Sequence, residues 1–239
     1  MTAEPLVHLA GLSKAFGGTL VLDGIDLDVR AGEAVALLGA NGAGKTTLLR
    51  IVATLLRPSR GRALVAGFDC AREPDRVRAQ VGLLAHGAWV YEDLTARENL
   101  IFWSSLRGRP ARADELQAAL AAVDLERLAA ERVRTFSLGM RRRLSLARLV
   151  LAAPRVLLLD EPYAGLDPRA SKWLDGHLAA VKAGGGAIVM ATHSFSRGLG
   201  VTDRVAIMAG GRVAHDAAVA ALSAEDIRHL YELHAEEPA

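Results

Sequence analysis

Apolar and polar positions follow two different rhythms along this chain. Three segments, "PLVHLAGL" (5–12), "LDGIDLDVR" (22–30) and "GRALVAG" (61–67), show alternation or β-rich character between glycine turns. Such segments predict antiparallel strands with one face buried. Five others, "EAVALLGA" (33–40), "QVGLLAH" (80–86), "RVLLLDEP" (155–162), "AIVMATH" (187–193) and "RVAIMAG" (204–210), are continuous apolar runs of strand length. With helix-like stretches between several of them, they predict a parallel sheet covered on both faces. The stretch from about 95 to 153 carries no convincing strand. It opens on Thr95 and Glu98 at capping-box spacing and predicts an amphipathic helix through Leu106. After a break at "RGRP" come two alanine-rich helical segments and a loop at "RVRTFSLG" (132–139). "KAGGGA" (182–187) ends a helix ahead of a strand, and "SAEDIRHLYELHAEEPA" (223–239) predicts a short amphipathic helix with an acidic end. The expected fold class is α/β: a mainly parallel core sheet, an antiparallel β lobe at the front and an inserted α-helical subdomain.

Composition narrows the function classes. The 239 residues suffice for one large domain or two joined lobes, and 51% hydrophobic with 23% charged is ordinary for a globular protein. A formal net charge of +2 gives no reason to expect nucleic acid or an anionic membrane as partner. Cys70 is the single cysteine, so no intrachain disulfide can form, which suits a reducing cytoplasm. The N-terminus has an acidic residue early and no apolar stretch typical of a signal peptide. The run "LVLAAPRVLLL" is interrupted by Pro154 and Arg155 and falls short of the ~20 residues of a membrane span. A membrane role would therefore run through a partner.

"GANGAGKTT" (39–47) follows one apolar run directly and precedes the helical pattern "LLRIVATLL". Its spacing fits G-x-x-x-x-G-K-[ST] between strand and helix. Gly39, Gly42 and Gly44 free the backbone, so that the amides of Gly39, Ala40, Asn41, Gly42, Ala43, Gly44, Lys45, Thr46 and Thr47 can converge on phosphate oxygens. Lys45 adds a point charge, and the Thr46 hydroxyl suits Mg²⁺. In "RVLLLDEP" two carboxylates end a buried strand, where open α/β sheets bind ligands. Alone, that motif reads equally as a solvated strand-to-turn transition. Beside the glycine loop, Asp160 becomes the expected Mg²⁺ ligand, directly or through water, and Glu161 the group that polarises a water attacking the γ-phosphate.

With "FSLGMRRRLSLAR" (136–148), "AGLDP" (164–168), "ATHS" (191–194) and Phe16 in "LSKAFGG" added in this order, nearly the whole chain resembles the ATP-binding subunits of ABC transporters. The resemblance implies one ATP-binding domain over 1–239: core and β lobe at 1–94 and 154–215, a helical subdomain with the signature loop at 95–153, and a helical tail at 216–239. It implies ATP hydrolysis with Mg²⁺, and a head-to-tail dimer with a second such subunit, the homodimer being expected. Phe16 would stack on adenine. Ser137 and Gly139 of the signature would contact the γ-phosphate of ATP bound to the partner subunit, Asp167 would cross the interface, and His193 would touch the γ-phosphate in cis. Leu138 and Met140 replace the family's glycine and glutamine in the signature, while the serine and second glycine are kept.

His86 occupies the place of the family's Q-loop glutamine, since glutamine occurs here only at Gln80 and Gln117. A neutral imidazole offers one donor and one acceptor, enough for a Mg²⁺-bound water, and it can gain a proton near neutral pH. His86 followed by "LTARENLIFW" (94–103) is similar to the ATPase of the haem exporter in bacterial cytochrome c biogenesis. Integral membrane subunits would then be the partners, and the cytoplasmic face of the bacterial inner membrane the location. Trp89, Tyr91, Phe102 and Trp103 gather around this stretch as candidates for a docking groove, although Phe102 and Trp103 would equally pack the helical insert. An exporter with another cargo and a non-transport ABC ATPase are the alternatives.

Overall fold

The computed structural model describes residues 4–85, 87, 89–193 and 199–235. Two long strands open the chain, β1 (Val7–Phe16) and β2 (Thr19–Val29), followed by β3 (Ala34–Leu38), α1 (Lys45–Val52), β4 (Arg60–Val65) and β5 (Phe68–Asp69). The order β2-β1-β4-β5 forms a four-stranded sheet with antiparallel pairing throughout. Val7, Leu9 and Leu12 of β1 are buried while the positions between Val7 and Leu9 and after it are only partly covered. The alternation in sequence is thus a half-buried sheet, as expected.

The second half of the β-structure comprises α2 (Pro74–Gln80), β6 (Val81–Leu84), then, beyond the helical region, β7 (Val156–Asp160), α6 (Pro168–Ala183), β8 (Ala187–Ala191), β9 (Arg204–Ala209) and β10 (Arg212–Ala218). The sheet order is β10-β9-β3-β8-β7-β6, with every pair parallel except the edge pair β10·β9. All five residues of β3, of β7 and of β8 are buried. Val156 and Leu158 pack on one face with Leu48, Leu49 and Ile51 of α1. Leu157 and Leu159 pack on the other with Leu174 and Leu178 of α6. A fully buried aliphatic side chain contributes about 1.5–3 kcal/mol, so two-sided burial explains why these strands read as unbroken apolar runs.

β10 departs from the expected map. Its residues alternate between exposed and half-buried, and "RVAHDAA" has no apolar signal. The strand is held by pairing to β9 and by Arg204, which binds Asp216, Glu33 and the Asp28 carbonyl. The expected boundary of the tail at 216 therefore falls inside a strand. The tail helix is α7 (Ala224–Ala235), whose Ile227 packs with Ala36, Leu38, Val205 and Ile207.

Between β6 and β7 lie α3 (Ala96–Leu106), α4 (Ala113–Ala121) and α5 (Leu138–Ala152), with no strand element among the described residues. Thr95 caps α3: its hydroxyl accepts from the Glu98 amide at 3.1 Å, and the Glu98 carboxylate accepts from the Thr95 amide at 2.7 Å. The second alanine-rich segment yields only a 3₁₀ turn at Glu126–Leu128, following Asp124, whose φ of 58° takes the chain out of the helix. The loop expected through Gly139 ends earlier. The Ser137 hydroxyl accepts from the Met140 amide at 3.3 Å, so Leu138 and Gly139 already belong to the first turn of α5.

Candidate functional site

The glycine loop joins β3 to α1 and is shaped by what surrounds it. Gly39 has φ 155°, and a Cβ there would stand 2.4 Å from the Met208 carbonyl oxygen on β9. Gly44 has φ 97°, and a Cβ there would meet Leu22 at 2.6 Å. Both positions require glycine for space as well as torsion. Gly44 caps α1 without a side-chain acceptor, and the first turn holds no acid. The leading amides and the positive helix end are thus left for an external anion. Lys45 is only 8% exposed, and its ammonium donates to the carbonyls of Gly39 at 2.5 Å and Ala40 at 3.0 Å. Burial lowers its pKa from the ordinary lysine value, against the opposing charges of Glu161 and Asp160.

β7 ends at Asp160 and β8 at Ala191, and these neighbours in the sheet bring the remaining groups opposite the loop. The Thr46 hydroxyl donates to the Asp160 carboxylate at 2.9 Å. Two hard oxygens so placed fit a small divalent cation such as Mg²⁺. The Glu161 carboxylate accepts from the Thr192 hydroxyl at 3.2 Å and from the His193 amide at 2.9 Å. The His193 Nδ1 also lies 2.7 Å from it. Glu161 has φ 50°, in the left-handed region that non-glycine residues enter at a cost. Asn41, Gly42, Ala43, Gly44, Lys45, Thr46, Thr47, Asp160, Glu161 and His193, with Val21, line one cavity of about 550 Å³.

The other expected site residues lie elsewhere. Phe16 ends β1 at 46% exposure with the Lys14 ammonium 4.8 Å above its ring, outside the cavity lining. Ser137 and Gly139 sit at the start of α5, Ser137 exposed. Asp167 is exposed and caps α6, accepting from the Ala170 amide at 2.7 Å. The resemblance has Ser137 and Gly139 contact ATP bound to a partner subunit and Asp167 cross the interface, and none of the three lines this cavity. His86 lies outside the described residues. Of the four aromatics, Tyr91, Phe102 and Trp103 form a ring cluster with centroids 4.7–6.2 Å apart, and the Arg148 guanidinium lies 4.4 Å over Trp103. Trp89 is 47% exposed and accepts from Arg148 through its carbonyl.

Val21, which lines the cavity, and Thr192 and Arg142, which donate to the Glu161 carboxylate and carbonyl, were not singled out from the sequence. Thr192 is hidden because a threonine closing an apolar strand is unremarkable. Arg142 is hidden in the run Arg141–Arg143, yet it shares the buried α5 face of Ser145, Leu146 and Leu149 at helical spacing, a signal that was available.

Over residues 22–164 the chain matches the family model described as ABC transporter. It is 40% identical over 228 residues to the daunorubicin resistance ATP-binding protein DrrA3 of Streptomyces coeruleorubidus, covering 93% of this chain and 71% of that protein. To the daunorubicin/doxorubicin resistance ATP-binding protein DrrA of Streptomyces peucetius it is 40% identical over 219 residues, covering 89% of this chain and 66% of the relative. A solved structure described as the ATP-binding subunit of an ABC transporter superimposes with a TM-score of 0.84 at 30% identity, covering 96% of this chain and 94% of its own.

Proposed function

Because this chain belongs to the ABC transporter family, as an ATP-binding subunit, we propose that it powers a membrane exporter through the cavity at the carboxyl ends of β3, β7 and β8. The chain is an ABC ATPase. The observation that carries the assignment of roles is the convergence of Lys45, Thr46, Asp160, Glu161 and His193 on one cavity of about 550 Å³.

The loop amides of residues 39–47 and the α1 terminus hold the phosphates, and Lys45 exchanges its two carbonyl partners for phosphate oxygens. Thr46 and Asp160 hold Mg²⁺, which when bound neutralises phosphate charge. Glu161 orients the attacking water and accepts its proton, and His193 fixes the Glu161 carboxylate and senses the γ-phosphate. Phe16 stacks on adenine. Ser137, Gly139 and Asp167 act across a head-to-tail dimer of two copies, and His86 reports occupancy to the membrane partner.

Among the described residues no helix is long and apolar enough to cross a membrane. In this reading integral membrane subunits, as in the family, supply the pathway, and the chain works peripherally at the cytoplasmic face of the bacterial inner membrane. The docking surface lies around Trp89, Tyr91, Phe102 and Trp103. Arg148 beneath it is held down to about 10 by burial and by the charge of Arg107. For cargo, two relatives at 40% identity are named for daunorubicin resistance and another at 40% for sulfate/thiosulfate import; the first two, which cover more of this chain, favour a small drug-like molecule. Haem rests only on His86 and "LTARENLIFW" and gains nothing from these relatives. Replacing Trp89 and Tyr91 together by alanine should abolish stimulation of ATP turnover by co-purified membrane subunits and leave nucleotide affinity within about twofold. Undiminished stimulation would refute docking at this face.

A further inference from the structure

Beyond the groups that line the cavity, one buried cation ties its rear wall together. Arg142 stands one turn into α5 and is 4% exposed. Its guanidinium donates to the carbonyls of Ala85 at 3.0 Å and Gly87 at 2.9 Å, beyond the end of β6. It donates also to the carbonyls of Glu161 at 2.7 Å and Asp160 at 3.4 Å. β6 and β7 pair in parallel only as far as Leu84 and Leu159, so these carbonyls lie just where the ladder runs out. A planar fork with several donors satisfies acceptors from two chain segments at once.

Glu161 needs that support. Its left-handed backbone persists only if neighbouring groups over-determine it. From one side the Glu161 amide donates to the Ala191 carbonyl at 2.9 Å. From the other, the Glu161 carbonyl accepts from Arg142. The side chain is then free to project toward Thr192 and His193. We infer that Arg142 is a positioning residue: it clamps the peptide that carries Glu161 and locks that peptide to the segment after β6 from the first turn of the helix that begins at Ser137. The inference rests on the assignment of Glu161 as the base.

An arginine that only filled space would, when replaced, lower the folded fraction and leave the surviving molecules with normal constants. A clamp on Glu161 misplaces the base without touching the phosphate loop, and misplacement of order 1 Å can cost about 10²-fold in rate. In the full-length chain, Arg142→Gln should lower kcat by roughly 10- to 100-fold with KM for ATP within about twofold, and Arg142→Lys should fall between it and the parent. Glu161→Gln alone should abolish steady turnover, and Arg142→Gln in that background should reduce the residual single-turnover rate by less than about threefold. Should Arg142→Gln not fold, Arg142→Lys is read in both backgrounds. Turnover by the Arg142 variant within twofold of the parent, a proportional rise in KM, or full additivity with Glu161→Gln would overturn the inference. Unchanged turnover by Glu161→Gln would instead remove the base assignment itself.

Discussion

At the scale of single residues, the cavity combines groups held by one loop with groups that only the sheet brings together. The glycine loop fixes nine consecutive positions relative to one another, so the spacing of Lys45 and Thr46 from the loop glycines is written in the sequence itself. The pairing of Thr46 with Asp160 and of Glu161 with His193 spans long sequence separations, and only the strand order β3-β8-β7 brings those groups together. The left-handed Glu161 peptide had no local signature to separate it from an ordinary turn, whereas the burial of Arg142 was marked only by its helical spacing to Ser145, Leu146 and Leu149 within an arginine run. A smaller residue-scale feature carries a consequence for stability. His177 stacks on Trp173 with centroids 5.2 Å apart, and burial lowers its pKa from 6.5. Since the folded state takes up the proton less readily than the unfolded chain, stability is complete above about pH 6.5 and declines as pH falls below it, by at most about 1.4 kcal/mol per pH unit from this group. In urea titrations at pH 7.5 and 5.5, His177→Phe should lose less stability on acidification than the parent. An equal loss would remove His177 from the acid response.

At the scale of elements, periodicity worked where burial was two-sided or cleanly alternating. β3, β7 and β8 are covered on both faces and announced themselves as apolar runs. β10 and the two-residue β5 each place only one partly buried apolar side chain, Val213 and Phe68, against the core and are otherwise held by pairing to β9 and β4, so no apolar run or alternation declared them. The alanine-rich segment after Asp124 shows the converse: helix-forming composition without a helix, because one residue at positive φ redirects the chain. The capping box at Thr95 was legible because it needs only residues three apart. Its energetic role can be tested directly. Thr95→Ala removes the acceptor for the Glu98 amide and should cost about 1 kcal/mol, lowering Tm by a few degrees in a chain of this size. A Tm unchanged within error would show that tertiary contacts alone hold the start of α3.

At the scale of the whole molecule, the two sheets and the inserted helices place the phosphate loop, the acidic strand end and the residue after β8 on one side of the parallel sheet. They leave the signature residues at the start of a different helix, outside that cavity. The proposed completion of the site by a second copy comes from the resemblance and not from any pattern within the chain, because such a completion would leave no periodic trace in the sequence. It is also the core of the functional account: one copy binds and activates, and the other closes over it. The most direct test is Glu161→Gln examined by size-exclusion chromatography with light scattering, with and without Mg-ATP. The account predicts a monomer without nucleotide, a stable dimer retaining unhydrolysed ATP in its presence, and return to monomer when Lys45→Ala is added. A chain that stays monomeric at saturating Mg-ATP, or a Glu161→Gln variant that hydrolyses ATP at the parent rate, would contradict it.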